Sequence, residues 1–563
     1  MKEIITSYNI PYGVSKISRK DLPYDISSLE TIIIPESVRI IRDMTFVGCV
    51  SLKSIVIPNS VKEIRNKAFK GCVSLQSIIL SDSMTEIGAS VFEGCTSLQS
   101  VMIPDSVTEI GDSAFKGCTS LQSVVIPDSI TEIGVSVFEG CTSLQSVVIP
   151  NSVTEISYSA FKGCSSLQSV VIPDSMTEIG ASVFEGCTSL QSVMIPDSIT
   201  EIGFSAFKDC TSLQSVVIPN SVMVIAFYAF GHCESLESIA IPSSVTEILP
   251  CVFAGCKALH SIEIPDSVKI IHSGSFTKCT ALESIDIPSY VTEIGSNAFS
   301  ECSSLVSIHI PDSVKSIGSE AFKNCESLES ITIPNSVTEI DACAFWECVA
   351  LRIVNLSEKI EEINYSLFAG CVSLESIELP ETIKNIGFQA FADCRALKSI
   401  NIPDSVIEID MNAFAGCKSL EKIDIPNSVI SIESDAFSGC TSLKTVVISD
   451  SLSTISGGMF ANCSSLEDIQ IPDSVKEIGC LAFGCCQSLK SIRIPNSVTS
   501  IGDGAFAGCI SLKNVFLPDS LSTLGNLTFY GCVALEAICI PNGTRELYEN
   551  LLKKTDSDGQ TVS

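Results

Sequence analysis

Apolar residues return along the chain in a spacing that repeats every 23 residues, from Cys49 to Cys532. If a unit is numbered from 0 at this cysteine to 22, the unit Cys118–Gly140 has apolar residues at positions 3, 6, 8, 12 and 15, then a Val-Phe pair. The 22 cysteines of this phase follow without a gap, each with a Phe three residues before it and a Leu three residues after it. Such a period predicts one repeat solenoid rather than several globular domains.

Each unit predicts one β-strand. The segment Leu-x-Ser-Val-x-Ile-Pro is β-branched and stops at a proline, which has no N–H for a sheet ladder, and the following Asp-Ser or Asn-Ser favours a turn. We interpret the glycine after the isoleucine at position 15 as a tight corner, and Phe-x-Gly-Cys as a second corner with a short helical turn. Stacked units would form a parallel sheet with about 4.8 Å between strands.

The repeat Leu-x-x-Ile-x-Ile-Pro-x-x-Val-x-x-Ile-Gly-x-x-Ala-Phe-x-x-Cys resembles the BspA-type (Treponema-type) leucine-rich repeat, and the resemblance covers about Leu29 to Asn542. It implies a right-handed leucine-rich-repeat superhelix with one parallel β-strand per coil and short turns or helical turns on the other faces. Proteins of this family occur in mucosal bacteria and protist parasites. There the resemblance implies surface display, adhesion to host matrix proteins, or other protein binding.

The two ends of the chain depart from the repeat, as expected for caps that cover the open faces of a solenoid. Leucines at helical spacing predict a capping helix near the C-terminus. We predict an N-terminal degenerate cap at 1–28, a solenoid of about 22 coils at 29–542, a capping helix at 543–554 and a disordered tail at 555–563. No signal peptide or transmembrane segment is visible, so the sequence predicts a cytoplasmic protein, whereas the family resemblance implies the cell surface.

Charge narrows the classes of partner. Lys and Arg number 34 against 65 Asp and Glu, a net charge of -31, which argues against binding to a nucleic-acid backbone. No stretch approaches the roughly 20 apolar residues that span a bilayer, so we expect no membrane insertion. We expect a monomer. In one stretch Phe-Lys-Gly alternates with Phe-Glu-Gly from unit to unit, which predicts opposite charges on neighbouring coils.

The 27 cysteines invite a disulfide or metal interpretation. Residues of one phase on stacked strands keep their Cβ atoms about 4.8 Å apart, whereas a disulfide needs about 3.8 Å, and zinc motifs place cysteines two to four residues apart. We therefore predict reduced, buried thiols that act as small apolar side chains. The alternative is redox or metal chemistry around Cys480, Cys485 and Cys486.

Catalytic and metal-binding patterns are weak. The four histidines, His232, His260, His272 and His309, fall at different repeat phases or on distant coils. No nucleophile elbow or phosphate loop occurs, so we predict no catalytic residues, no cofactor and no enzyme activity. Columns of glutamate at position 14 and of aspartate at position 10 leave bound calcium open as the alternative to solvated carboxylates, although the Gly-rich nonapeptide loops of calcium-binding β-rolls are missing. We predict no metal site.

Position 7 carries the main functional hypothesis, because strand neighbours alternate and its side chains must point away from the core. In the first units this position is apolar, and after Ala240 it becomes polar, as in Glu263 and Asp286. The predicted protein-binding residues are Val56, Ile79, Met102, Val125, Val148, Val171, Met194 and Val217. An exposed apolar patch often marks an interaction site; the alternative is β-propensity combined with duplication of one valine-bearing unit.

We therefore expect a non-enzymatic scaffold that binds a protein ligand of unknown identity through its concave β-sheet. One alternative is a cell-surface adhesin of the BspA type that binds host or matrix proteins. The other is a structural repeat array without a single partner.

Overall fold

A computed structural model describes residues 5–539, and every 23-residue unit in this range forms one coil of a β-solenoid. The chain divides after Leu282 into two compact units, residues 1–282 and 283–563, which we call unit 1 and unit 2. The predicted capping helix at 543–554 and the tail at 555–563 lie outside the described residues, so both stay predictions.

The predicted strand is present in unit 1, where it forms the first strand of each coil. Ten of these strands make one parallel sheet in register, in which Val125 lies between Met102 and Val148. The first strands of unit 1 are Ser7–Asn9, Thr31–Ile33, Ser54–Val56, Ser77–Ile79, Ser100–Met102, Ser123–Val125, Ser146–Val148, Ser169–Val171, Ser192–Met194, Ser215–Val217, Ser238–Ala240 and Ser261–Glu263.

The structure adds a second, two-residue strand to each coil at positions 14 and 15, which pairs in parallel with its counterpart on the next coil. The second strands of unit 1 are Lys16–Ile17, Ile40–Ile41, Glu63–Ile64, Glu86–Ile87, Glu109–Ile110, Glu132–Ile133, Glu155–Ile156, Glu178–Ile179, Glu201–Ile202, Val224–Ile225, Glu247–Ile248 and Ile270–Ile271. Periodicity alone did not show this strand, because only one of its two residues is apolar.

Unit 2 repeats the same coil. Its first strands are Ser284–Asp286, Ser307–His309, Ser330–Thr332, Ile353–Asn355, Ser376–Ile377, Ser399–Ile400, Lys422–Asp424, Thr445–Val447, Ser491–Arg493, Asn514–Phe516 and Ala537–Cys539. Its second strands are Glu293–Ile294, Ser316–Ile317, Glu339–Ile340, Glu362–Ile363, Asn385–Ile386, Glu408–Ile409, Ser431–Ile432, Thr454–Ile455, Glu477–Ile478, Ser500–Ile501 and Thr523–Leu524.

The core of each unit is a set of columns, because in-register stacking places the same repeat position above itself. The cysteine, the leucine at position 3 and the phenylalanine at position 20 are fully buried in nearly every coil. The phenylalanines stack along the units, with ring centroids 5.3 Å apart between Phe391 and Phe414 and 5.2 Å apart between Phe414 and Phe437. Each coil therefore depends on both neighbours for its burial.

Each coil has three sides: the first strand, the second strand, and positions 16 to 22. This third side consists of turns and not of a short helix. Among residues 5–539 the one helical segment is a 3-10 turn, Arg19–Asp21. Backbone hydrogen bonds also join this side from coil to coil, as from the Phe69 N–H to the Val91 carbonyl at 2.9 Å. The residue at position 18 is left-handed even where it is not glycine, with φ of 55° at Ser136.

The glycine after the second-strand isoleucine has a different cause from the one expected. Gly111 does not have a positive φ; instead a Cβ there would lie 2.5 Å from the Ala89 backbone nitrogen. Close approach of adjacent coils, and not a special dihedral angle, therefore favours glycine at this position.

Residues 5–28 stack on the following coil. Their strands Ser7–Asn9 and Lys16–Ile17 pair with Thr31–Ile33 and Ile40–Ile41. Ile26 is buried at the place that the repeat gives to cysteine. The boundary of the cap at residue 28 stays a prediction.

Candidate protein-binding face

The side chains at position 7 form an exposed apolar column on the first-strand sheet of unit 1. We call this column the apolar stripe; it comprises the eight residues predicted from the sequence. Their exposed fractions lie between 59% for Val56 and 82% for Met102. The preceding residue of each strand points inward, as Val124 does with an exposure of 3%. Strand pairing in register places the stripe residues on directly adjacent positions.

The surroundings of the stripe are uncharged over seven coils. Positions 1 to 9 hold no Lys, Arg, Asp or Glu in the coils that begin at Cys72, Cys95, Cys118, Cys141, Cys164, Cys187 and Cys210. Exposed Gln and Ser residues at positions 4 and 5, such as Gln122 and Ser123, lie beside the valines. In a chain of net charge -31 this face is a neutral area with an apolar centre.

The same face of unit 2 has different chemistry. Position 7 is polar from Asp286 to Asp424, where the Asn355 amide donates to the Thr332 hydroxyl at 3.1 Å. Further along it includes the exposed Val447 and Phe516, but not in an unbroken column. From Glu329 to Lys490 position 4 alternates in charge, with ion pairs of 2.6 Å between Lys398 and Glu375 and of 2.7 Å between Lys490 and Glu467. Many of the exposed charges of this face thus lie in ion pairs.

The repeat cysteines do more than fill space. The Sγ of Cys141 donates to the carbonyl of Phe115 on the preceding coil at 3.2 Å, and Cys417 does the same to Phe391 at 3.2 Å. Burial raises the pKa of Cys141 to about 12, so its thiol stays protonated at neutral pH. The 27 cysteines all lie within residues 5–539, and no disulfide joins them there. Sequence reasoning missed this donor role, since spacing does not reveal which carbonyl the thiol faces.

The alternative interpretation is redox or metal chemistry around Cys480, Cys485 and Cys486. Cys480 and Cys485 are exposed, whereas Cys486 is buried and donates to the Phe460 carbonyl at 3.2 Å. Within residues 5–539 no group of three or more His, Cys, Asp or Glu side chains is placed to hold a metal ion. Of the histidines, His272 contacts Glu247 at 3.1 Å.

The predicted alternation of charge on the third side is confirmed. Lys70 pairs with Glu93 at 2.8 Å, and Lys116 pairs with Glu139 at 2.7 Å. At position 14, by contrast, Glu86 lies in register between Glu63 and Glu109, so like charges are stacked.

The family comparison agrees with the coil just described. The model of the BspA type leucine-rich repeat region matches residues 15–145, 131–260, 250–375, 361–489 and 476–558. The chain belongs to the BspA-type leucine-rich repeat family. Proteins of this repeat family are generally non-enzymatic, and the chain is a leucine-rich repeat protein by sequence and fold. A search of curated proteins gave no significant match.

Three solved structures of leucine-rich repeat proteins are similar to this BspA-type chain. One from Bacteroides ovatus is 32% identical, covers 66% of this chain and 91% of its own, and has a TM-score of 0.49. A leucine-rich cell surface protein from Faecalibacterium prausnitzii is 30% identical, with coverages of 65% and 83% and a TM-score of 0.32. A leucine-rich repeat protein from T. pallidum is 36% identical, with coverages of 29% and 78% and a TM-score of 0.28.

Over residues 5–539, no helix has the length and apolar character needed to cross a bilayer.

Proposed function

We propose that this BspA-type protein is a protein-binding scaffold and that its partner docks on the apolar stripe of unit 1. The observation that carries the proposal is the exposure of eight apolar side chains in one column, each with more than half of its surface open to solvent. Contiguous apolar surface of this kind on a soluble fold is typical of protein–protein contacts.

Charge favours the same face over the others. A partner that docks on the stripe displaces water from Val, Met, Gln and Ser side chains and does not have to desolvate carboxylates, which is costly. On the unit 2 face it would have to separate ion pairs such as Lys398–Glu375. Docking on the neutral face is therefore the more favourable of the two, because it removes apolar surface from water without desolvating charged groups.

Because the partner is unknown, the test uses ligands that are selected without knowledge of it. A phage-displayed random peptide library, panned on the immobilised full chain, supplies them. We expect most selected peptides to bind at least tenfold more weakly to the triple variant Val125→Asp, Val148→Asp, Val171→Asp. The inward Val124, Val147 and Val170 are untouched, so the variant should retain its fold.

The matched control carries Asp at Thr332, Asn355 and Asn401, which are exposed at the same repeat position. It should keep the affinity of the selected peptides. If the selected peptides lose affinity for this control and keep it for the valine variant, the binding face lies in unit 2 and the proposal is wrong.

A second candidate is a cell-surface adhesin, which membership of the BspA-type family favours. Surface plasmon resonance of the full chain against collagen, laminin and fibronectin tests it, with the triple valine variant as control. Binding that the variant abolishes would support adhesion through the stripe. An absence of binding to all three proteins would count against the adhesin and leave the scaffold proposal to the peptide selection.

A further inference from the structure

A groove of about 370 Å³ lies on the second-strand side of unit 2, across three neighbouring coils. Gly387 is part of its lining, and a Cβ there would lie 2.9 Å from the Ile363 carbonyl oxygen on the neighbouring coil. Glu362 and Glu408 line it from the second strands, and Tyr365 and Phe388 line it from the third side of the coils.

Two aromatic side chains line the groove. Position 17, which holds Tyr365 and Phe388 here, is Ala89, Asp112 or Val135 in three early coils, although unit 1 has a second stacked pair, Phe204 and Phe227, at this position. The two rings stack with centroids 5.2 Å apart and planes 3° from parallel, and 48% of the Tyr365 surface is exposed. Each ring covers one face of the other, so the ring edges and outer faces are the apolar surface that remains for a ligand in the groove.

The charge of the groove has one sign. Its lining contains the carboxylates of Glu362, Glu408 and Asp410 and no lysine or arginine. The neighbouring Lys384 is paired with Glu361, and Glu362 contacts the Asn385 amide at 3.4 Å. A ligand that combines a cation with an apolar stem would satisfy both the carboxylates and the ring edges.

We propose that this groove binds a basic peptide segment, with arginine side chains laid along the Tyr365 and Phe388 edges and their guanidinium groups on Glu362 and Glu408. Arginine fits because its planar fork forms bidentate hydrogen bonds with carboxylates while its alkyl stem packs on apolar surface. This surface is separate from the apolar stripe, so the inference does not depend on the function proposed above.

Coil spacing sets the spacing of the two arginines. Glu362 and Glu408 lie two coils apart, which is about 9.6 Å at the usual strand separation. A polyproline II segment places residues i and i+3 on one side at about 9.3 Å. The sequence Arg-Pro-Pro-Arg therefore presents two guanidinium groups at the required distance.

The probe is a fluorescent peptide with the core Gly-Arg-Pro-Pro-Arg-Gly, titrated with the full chain in 50 mM salt. We expect saturable binding that weakens at least tenfold for Glu362→Gln with Glu408→Gln, and at least threefold for Tyr365→Ala. Replacing both arginines by citrulline, which keeps the shape and removes the charge, should abolish binding.

The matched control is Glu86→Gln with Glu132→Gln. These two glutamates of unit 1 have the same repeat position and lie two coils apart, and position 17 of their three coils holds Ala89, Asp112 and Val135 instead of aromatic residues. This variant should bind the peptide like the parent chain. Equal loss in both double variants would show non-specific attraction to acidic surface, and equal binding of the citrulline peptide, or no binding at millimolar peptide, would also overturn the proposal.

Discussion

Raising the pH above about 9 should unfold this protein, because its core contains a column of protonated thiols. In unit 1 the pKa of nine of the repeat cysteines is raised, at Cys72 first by a hydrogen bond with Cys95 and then by burial, and at the other eight chiefly by burial. These are Cys49, Cys72, Cys118, Cys141, Cys164, Cys187, Cys210, Cys233 and Cys256. In the unfolded chain the same groups ionise near the ordinary cysteine value of ~8.5.

The sign follows from proton linkage. A group whose pKa is higher in the folded state contributes its full stability below the unfolded pKa and loses it as pH rises toward the folded pKa. For Cys141 and Cys256, whose folded pKa is raised to about 12, the window extends from the unfolded value to about pH 12. Each thiol then costs about 1.4 kcal/mol per pH unit, so nine thiols cost roughly 12 kcal/mol per unit. That equals the whole stability of a typical domain.

The assay is guanidinium unfolding from pH 7 to 10.5 under reducing conditions, followed by circular dichroism and by thiolate absorbance near 240 nm. We expect both signals to change together, since a thiol ionises only when its coil opens. Cys141→Ala should reduce the pH slope by about 1.4 kcal/mol per unit. Thiolate absorbance from most cysteines in the still-folded protein would refute the reasoning.

Three further predictions concern stability. Phe414→Ala removes a fully buried ring that is stacked on both sides, so it should lower the free energy of unfolding by about 3 to 5 kcal/mol. Hydrogen exchange should then rise first in the coils of Phe391 and Phe437 and not uniformly along the chain. Glu86→Gln should raise the free energy of unfolding by up to about 1 kcal/mol, because it relieves stacked like charges. Glu139→Gln should lower it, because the ion pair with Lys116 is lost. Chemical denaturation of both variants checks the opposite signs. Leu481→Gly should raise the melting temperature, because the exposed Leu481 has a φ of 54°, which costs a residue with a side chain ~1 kcal/mol. Gly458 and Gly504 already occupy the same repeat position, 18, in other coils. An unchanged or lower melting temperature would contradict the strain argument.

Most of the fold could be predicted from the sequence, because a gap-free period leaves one way to stack the units. Apolar positions such as Leu121 and Val124 are buried as the alternation required, and Val125 is exposed. The second strand was not predictable in this way, because Glu132–Ile133 is too short to show alternation. The left-handed residue at position 18 was also missed, since serine gives no signal of a positive φ.

Of the two candidate sites, one could be predicted from the sequence and the other could not. The stripe could be located because position 7 is defined by strand alternation within one unit. The groove of unit 2 could not, because Tyr365 and Glu408 are 43 residues apart and meet only through the stacking of coils. The role of the cysteines likewise required knowing that the Phe391 carbonyl faces the Cys417 thiol.

Site-specific photo-crosslinking tests the central claim, that the apolar stripe is the binding face, most directly. A photo-reactive amino acid is placed at Val148 in one variant and at Asn355 in another, both at position 7 and both exposed, and each is irradiated with a peptide selected on the parent chain. Our account predicts a covalent adduct at residue 148 and little at residue 355. An adduct at residue 355 with none at residue 148 would contradict it.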